Sequence, residues 1–499
     1  MLTELKDSPL YLLAKPRSLA FFGASNSSFS MGVNLFLSNR DIGFKGPLYP
    51  VHPQDEEVHG YKAYKSALDL PEAPDAAVVV VPTKIVPQVV DECGQRGIKR
   101  AIIVSGGFKE VGPEGAALEK ELVGIARKYG LRFLGPNCLG VANTHHKVNT
   151  TFMPHEGGAG FIGLASQSGS LITQMFGYLS KFGLNYSTAF SVGNEADLDL
   201  VDCLEYLGAD PETKVIALYI EGLKRGREFL RAAAEITPHK PIVAYYAGGS
   251  ETGQRAGLSH TGALAGPDGL YDGLFRQAGV VRAATLTELY DFCWLLASQP
   301  CPRGNRVVIQ THSGGPGVAA ADACERAGLE VPPLSARTFQ RLADHIPHTG
   351  SRSNPVDITF SRNQLDFFHE IPSVLLEDEA TDMLLIYIMA PAKVIERTLR
   401  VSGLPEDEAV LQGRRYQEEQ CQRMVDVIRG HDKPVVGFTY RDYEDASVQG
   451  LIDRGVPVLL GSERAARAMA ALASYARLRE KLLSNEVLVS GRKERFQIA

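Results

Sequence analysis

One of the chain's 12 histidines, His260, stands in the stretch "GLSHTGALAG" (257–266), among residues too small to crowd its ring. A histidine that serves structure packs its ring against larger neighbours or bonds its nitrogens to them. Small neighbours point instead to a ring that a reactant must approach, or to a loop that must move. Glu221, in "YIEG", ends an apolar run that reads as a strand. A carboxylate there is either a solvated edge or an acceptor for an imidazole N–H, which would orient the ring and raise its basicity. His260 is the obvious imidazole, although sequence alone does not place the two in contact.

Two further stretches put hydroxyls and glycines where a strand turns into a helix: "ASQSGSL" (165–171) and "THSGGPGV" (311–318). Free N–H groups and the positive end of the helix dipole make such turns anion sites. Either one alone is also an ordinary N-cap with a glycine turn; two of them, in similar surroundings, point to a shared anion. Ser168, Gly169 and Ser170 carry the first turn; Gly314, Gly315 and Gly317 carry the second. His312, beside the second, either touches phosphate or is simply exposed. His52 reads as part of a turn, and His145 and His146 as loop residues.

A third turn, "AFFGASNSSFSMG", places Gly23 directly after a strand and Gly32 near a helix start, where a phosphate-bearing ligand would lie. The turn is not GxGxxG, and the next strand, "YPVHP", ends without an acidic residue for a nicotinamide ribose. A dinucleotide oxidoreductase is therefore disfavoured, while another adenine ligand stays open beside a plain tight turn. No HxH or HExxH occurs, so no metal site is expected. "SQSGS" also lacks the GxSxG pattern of a serine hydrolase.

The 499 residues hold 44% hydrophobic and 22% charged residues and a net charge of −6. This is globular composition with no basic stripe for nucleic acid. The N-terminus lacks the apolar core of a signal peptide, and no run of about 20 apolar residues appears. Seven scattered cysteines without a CxxC pair argue against a disulfide framework. A cytoplasmic protein, bound to neither membrane nor nucleic acid, is the expectation.

Strand-like runs alternate with helical patterns almost throughout, the mark of parallel α/β sheets. The first set is "SLAFFGAS", "GPLYPVHP", "DAAVVVVP", "RAIIVSGGF" and "LRFLGPN". The second opens at "GFIGLASQSGS" and the third at "NRVVIQTHSGG". The last two sets follow the same order, which reads as duplication of a flavodoxin-like unit. The expected division is a Rossmann-like domain over 1–150, flavodoxin-like domains over 151–300 and 301–475, and a tail over 476–499.

Taken in order, "FFGAS", "YPVHP", "VSGGFKEVG", "LGPNCLG", "SQSGS", "VGNEADLD", "YIEG", "SHTGALAG", "SGGPGVAAAD" and "SNPVDIT" resemble the NDP-forming acyl-CoA synthetases. The likeness covers roughly residues 8–475 and is strongest to the α subunit of the ADP-forming acetate–CoA ligase type, related to the succinyl-CoA synthetase α subunit. It implies a CoA-binding domain followed by two ligase domains, and the reaction acyl-CoA + ADP + Pi ⇌ acid + CoA + ATP. By this resemblance CoA would lie against Gly23, Ala24, Ser25, Lys45, Pro53, Val81, Ser105, Gly106, Asn137 and Cys138. His260 falls on the phosphorylated histidine, Glu221 on the glutamate that supports it, and the two glycine turns on phosphate-cradling helix starts. Two departures stand out. The family's lysine–serine–glycine–arginine stretch reads "YAGG" (246–249), and nothing resembles the ATP-grasp domain that binds ADP or ATP with Mg2+. The resemblance therefore implies an ATP-grasp β subunit in a hetero-oligomer. The alternative is a non-catalytic CoA- or acyl-CoA-sensing protein on the same fold.

Overall fold

The structure is a computed structural model that describes residues 4–27, 30–253, 266–359, 363–389 and 392–496. His260 lies outside the described residues. The chain forms two compact units, Met1–Thr285 and Leu286–Ala499.

The first unit opens with β1 (Leu19–Phe22) and β2 (Leu48–Val51). A short antiparallel ribbon, β3 (Glu57–Val58) and β4 (Tyr61–Lys62), follows. Then come β5 (Ala76–Val79), β6 (Arg100–Ile103) and β7 (Arg132–Leu134). Their sheet runs β2-β1-β5-β6-β7, all parallel. Side chains alternate across a strand, so one face carries Leu19, Phe21, Val78, Ile102 and Leu134, and the other Ala20, Phe22, Val79, Ile103 and Phe133. Both faces are buried, which is why these strands read as unbroken apolar runs.

The second sheet of this unit holds β8 (Val141–Asn143), β9 (Val148–Asn149), β10 (Ile162–Ser166), β11 (Tyr186–Ser191), β12 (Val215–Ile220), β13 (Ile242–Tyr246) and β14 (Val281–Ala283). The order is β14-β13-β12-β10-β11-β8-β9, with β8 antiparallel to both neighbours. The hairpin Val141–Asn149 was expected in the first domain; its hydrogen bonds to β11 make it an edge of the second sheet instead. It is also stapled to the first sheet's helix Met31–Asp41, because Asn39 and Asn149 exchange side-chain and backbone hydrogen bonds of 2.5 and 3.0 Å. Leu19 and Phe21 share one buried cluster with Ala165, Phe190 and Leu218, so the two sheets pack against a common core. Each large side chain buried there contributes about 1.5–3 kcal/mol.

The second unit begins with the helix Leu286–Ser298, which packs on the long helix Ser462–Phe496. Asp291 holds Arg464 across that contact at 2.7 and 2.9 Å. Its sheet contains β15 (Val307–Thr311), β16 (Val356–Asp357), β17 (Met383–Tyr387), β18 (Val435–Thr439) and β19 (Val458–Leu460), in the order β16-β15-β17-β18-β19. No helix among the described residues is long and apolar enough to cross a membrane.

Numbered within each set, the parallel strands of all three sheets run 2-1-3-4-5. In that order the connection reverses direction between strands one and three, which opens a crevice at their carboxyl ends. Each first strand ends at one of the three turns singled out by the sequence.

Gly23 shows how tightly one of these turns is built. Its φ is +96°, and a Cβ there would lie 2.0 Å from the Val80 carbonyl oxygen. Gly130 has φ +63° with open space around it. Gly130→Ala should therefore cost about 1 kcal/mol from backbone conformation alone. Gly23→Ala should cost about 3 kcal/mol or more, because backbone must move as well. Urea-unfolding midpoints of the two variants measure the difference, and equal midpoints would contradict this account of the turn.

Candidate functional site

The carboxyl ends of β5, β6 and β10 open onto one cavity of about 590 Å3 in the first unit. Its wall includes Val81, Ser105, Gly106, Asn137 and Cys138, together with Ser168, Gly169 and Ser170. Five of the residues expected to meet CoA and three expected to meet phosphate thus line a single space. Met31, Val80, Val104 and Leu139, which were not among the expected contacts, add apolar wall. The volume is within the usual range for small-molecule sites.

Ser105 ties the strand ends together: its hydroxyl donates to the Val81 carbonyl at 2.7 Å and accepts from the Val81 N–H at 3.1 Å. Asn137, at φ +58°, donates its N–H to the Ser105 carbonyl at 3.0 Å. Cys138 is buried, with its sulfur 3.4 Å from the Ile103 carbonyl oxygen, and burial pushes its thiol up to about 12. A thiolate is the reactive form, so this sulfur is wall rather than nucleophile.

The remaining expected CoA contacts divide. Gly23 and Ala24 sit behind the wall: Gly23 packs on Val80, and Ala24 is fully buried. Ser25 is half-buried in the same turn, 3.3 Å from the Ser30 hydroxyl. Pro53 is exposed just beyond the carboxyl end of β2. Lys45 requires correction. It precedes β2, beside Gly46, whose missing Cβ would fall 1.9 Å from the Arg17 carbonyl oxygen. Arg17 itself precedes β1, so Lys45 belongs to the amino end of the sheet, opposite the cavity.

The helix Gly169–Ser180 begins at Ser168 without a side-chain cap, so its first N–H groups face the cavity uncovered. The helix Gly314–Arg326 in the second unit starts at Ser313 in the same uncapped way. By contrast, Asp199 and Asp445 cap their own helices. The two open turns share a detail: the Ser166 hydroxyl donates to the Ser168 carbonyl at 2.6 Å, and Thr311 to the Ser313 carbonyl at 2.8 Å. Gly169 answers a packing demand, since a Cβ there would lie 2.7 Å from Leu139 Cγ. Gly315 has nothing within 4 Å, while a Cβ on Gly314 would meet the Asp357 carboxylate at 3.5 Å.

Glu221 follows β12 directly. Gln167, in the turn before the uncapped helix, accepts the Glu221 and Gly222 N–H groups at 2.5 and 3.0 Å. Its amide nitrogen donates to the Gly222 carbonyl at 2.8 Å and to Glu195 at 3.0 Å. Glu195 is buried at φ +53° and accepts the Leu200 N–H at 2.9 Å. Burial pushes its carboxyl above the ordinary range, and Lys224, with Nζ 4.0 Å away, only partly offsets this. Neither Gln167 nor Glu195 was expected as a site residue, although both lie in quoted motifs, because an amide and a carboxylate inside polar turns resemble solvated loop residues.

The departure "YAGG" has a structural answer. Tyr246 stacks on Tyr271 with ring centroids 3.7 Å apart, and its hydroxyl donates to the Gly266 carbonyl at 2.8 Å. Tyr271 in turn accepts the Leu223 N–H at 3.0 Å. His312 is half-buried rather than exposed, stacked on Phe367 at 3.5 Å. Among the described residues no cluster of three His, Cys, Asp or Glu forms a metal-ligand set.

Residues 17–144 match the CoA binding domain family, and residues 159–296 match the succinyl-CoA ligase like flavodoxin domain family. The chain is 38% identical over 465 residues to the acetate–CoA ligase [ADP-forming] II subunit alpha of Pyrococcus furiosus, covering 93% of this chain and 97% of that one. The chain belongs to the ADP-forming acetate–CoA ligase α-subunit family. An acetate–CoA ligase [ADP-forming] I of Archaeoglobus fulgidus is 36% identical over 93% of this chain but only 64% of its own length. An acetyl-coenzyme A synthetase of Ca. Korarchaeum cryptofilum, solved with phosphate and ADP, superposes with a TM-score of 0.83 at 33% identity, covering 95% of this chain and 98% of that one.

Two outcomes follow from the ionisation of this ligase-family chain. Burial pushes His312 down to about 4, against a smaller opposing pull from Asp357. A depressed folded-state pKa means the unfolded chain binds the extra proton first, so this contribution is present above about 6.5 and is lost as pH falls toward about 4. His312→Gln should flatten the acid side of a melting-temperature profile in that window; an unchanged slope would contradict it. Cys138→Ala should keep acyl-CoA turnover within about threefold of the parent, as expected of wall rather than nucleophile. Steady-state rates check this, and complete loss would contradict it.

Proposed function

We propose that the chain is the CoA-binding, phosphohistidine-carrying subunit of an ADP-forming acyl-CoA synthetase, catalysing acyl-CoA + ADP + Pi ⇌ carboxylic acid + CoA + ATP with a nucleotide-binding partner. The observation that carries this reading is the single cavity shared by the β5 and β6 carboxyl ends and the uncapped start of the helix Gly169–Ser180. A thioester lying along the first wall would present its carbonyl to a phosphate at the second.

In this reading a phosphate oxygen attacks the thioester carbonyl, the carbon–sulfur bond breaks, and CoA leaves as the thiol after taking up a proton. The acyl phosphate then lies with its phosphoryl oxygens toward the N–H groups at 168–170. Neutral imidazole of His260 attacks phosphorus, the carboxylate departs, and the ring N–H proton is held by Glu221. The phosphoryl group passes from histidine to ADP. The protein's part is positioning and charge stabilisation, which dominate phosphoryl transfer.

The partner is an ATP-grasp β subunit that supplies ADP or ATP with Mg2+, in a cytoplasmic hetero-oligomer. The Archaeoglobus relative supports this division, since over a third of its length lies outside the match to this chain. Gly314, Gly315 and Gly317 belong to the second open helix start and serve phosphate in the same reaction.

Incubation with labelled phosphate and a panel of acyl-CoAs should yield acid-labile, base-stable protein phosphate that disappears in His260→Ala. CoA should bind in calorimetry, and NAD should not. Absence of label with every acyl-CoA, with the β subunit present, would overturn the catalytic reading in favour of an acyl-CoA-sensing role.

A further inference from the structure

Gln167 is 7% exposed, and its amide uses every hydrogen-bonding position it has. The oxygen accepts two backbone N–H groups, from Glu221 and Gly222, and the nitrogen donates to the Gly222 carbonyl and the Glu195 carboxylate. Turning the amide over would set NH2 against two N–H groups and oxygen against two acceptors. One orientation is therefore fixed, and Glu195 helps to fix it.

The residue's place in the chain gives this clamp its meaning. Gln167 immediately precedes 168–170, whose backbone begins the uncapped helix, while its side chain grips the turn that carries Glu221. One residue thus joins the anion-facing helix start to the carboxylate after the neighbouring strand. Backbone pairing supports the same spacing, because the Gln167 N–H donates to the Tyr219 carbonyl at 3.2 Å.

We propose that Gln167 is a positioning residue for phosphoryl transfer: it sets where the Glu221 carboxylate stands relative to the helix start, and Glu195 holds its amide in register. The proposal rests on the phosphohistidine reading above. Gln167 acts through Glu221 and the turn, without itself carrying a proton or a charge to the reacting atoms. A misplacement of about 1 Å in such a site costs up to about 100-fold in rate.

The test uses the full chain with its β subunit, labelled phosphate, and acetyl-, butyryl- and phenylacetyl-CoA as probes. Initial labelling rates are compared for the parent, Q167A, Q167E and the double variant Q167E/E195Q, beside CoA affinity and melting temperature. In Q167E a carboxylate faces both Glu195 and the Gly222 carbonyl; adding E195Q restores a donor opposite it. Q167A and Q167E should lower the labelling rate about 10- to 100-fold, with CoA affinity kept within about threefold. The double variant should recover most of the rate lost in Q167E. Backbone hydrogen exchange at residues 221 and 222 should quicken in Q167A, whatever the reaction.

Labelling of Q167A at the parent rate would overturn the proposal. So would a parallel loss of CoA affinity, or a double variant no better than Q167E, since either marks a merely structural role. A parent chain that takes no label from any probe would overturn the phosphohistidine reading itself, and this inference with it.

Discussion

A strand that turns directly into a helix leaves the helix's first N–H groups without partners, and something must answer them. In this chain that demand arises three times at the same topological place, the carboxyl end of the first strand in a 2-1-3-4-5 sheet. At β1 it is met internally: Ser30 caps the helix Met31–Asp41, and Gly23 and Gly32 pack backbone on backbone. At β10 and β15 the N-cap side chain makes no cap. The hydroxyls of Ser166 and Thr311 hold the N-cap carbonyl, and Thr311 also accepts the Ser313 N–H at 3.2 Å, while the N–H groups that follow stay open. The neighbouring crevice then decides what the open end can meet. In the first unit that crevice is the cavity walled by Ser105, Asn137 and Cys138.

The glycines at these turns solve different problems, although they look alike in sequence. Gly23, Gly32 and Gly169 are required by neighbouring protein atoms, which a Cβ would meet at 2.0, 2.2 and 2.7 Å. Gly315 meets nothing within 4 Å and is free of any such demand. The absence of a side chain there leaves room beside the helix start. A glycine in such a turn therefore speaks for a ligand only where the protein leaves its space empty. At Gly169 it is the uncapped helix start opening on the cavity, not the glycine, that points to an anion.

Most of the parallel architecture was legible because fully buried parallel strands carry unbroken apolar runs, as in "DAAVVVVP" and "KVIALYIEG". The hairpin Val141–Asn149 was not, since its strands of three and two residues are too short for a pattern. Of the site, the hydroxyl and glycine turns and Glu221 could be read from residue type and position. Lys45 was misplaced because the resemblance supplied a residue type without a register, and the strand β2 begins only after it. Gln167 and Glu195 stayed hidden for another reason. Their significance lies in a hydrogen bond to each other across 28 residues and in Gln167's bonds to backbone 54 and 55 residues away, which no local pattern encodes.

Glu195 also shows what keeps such a site in place. A buried carboxylate is costly unless its oxygens are partnered, and here both are: one by the Leu200 N–H, the other by Gln167. Lys224, itself pushed down by burial, bridges the Asn194 and Glu195 carbonyls at 3.0 and 2.6 Å. Asn194 then donates to Glu110 and Glu119 at 2.6 and 2.9 Å, and Glu110 accepts the Gly107 N–H at 2.6 Å. Burial raises the Glu110 carboxyl, but these donors outweigh it and hold the group below the ordinary carboxylate range. The network thus runs from the Gly106–Gly107 edge of the cavity to the Glu221 turn without an unpaired link between them. Because each buried group depends on the next, loosening one carboxylate exposes the desolvation cost of its neighbours. That shared cost is a physical reason for the wall and the carboxylate turn to keep one fixed spacing.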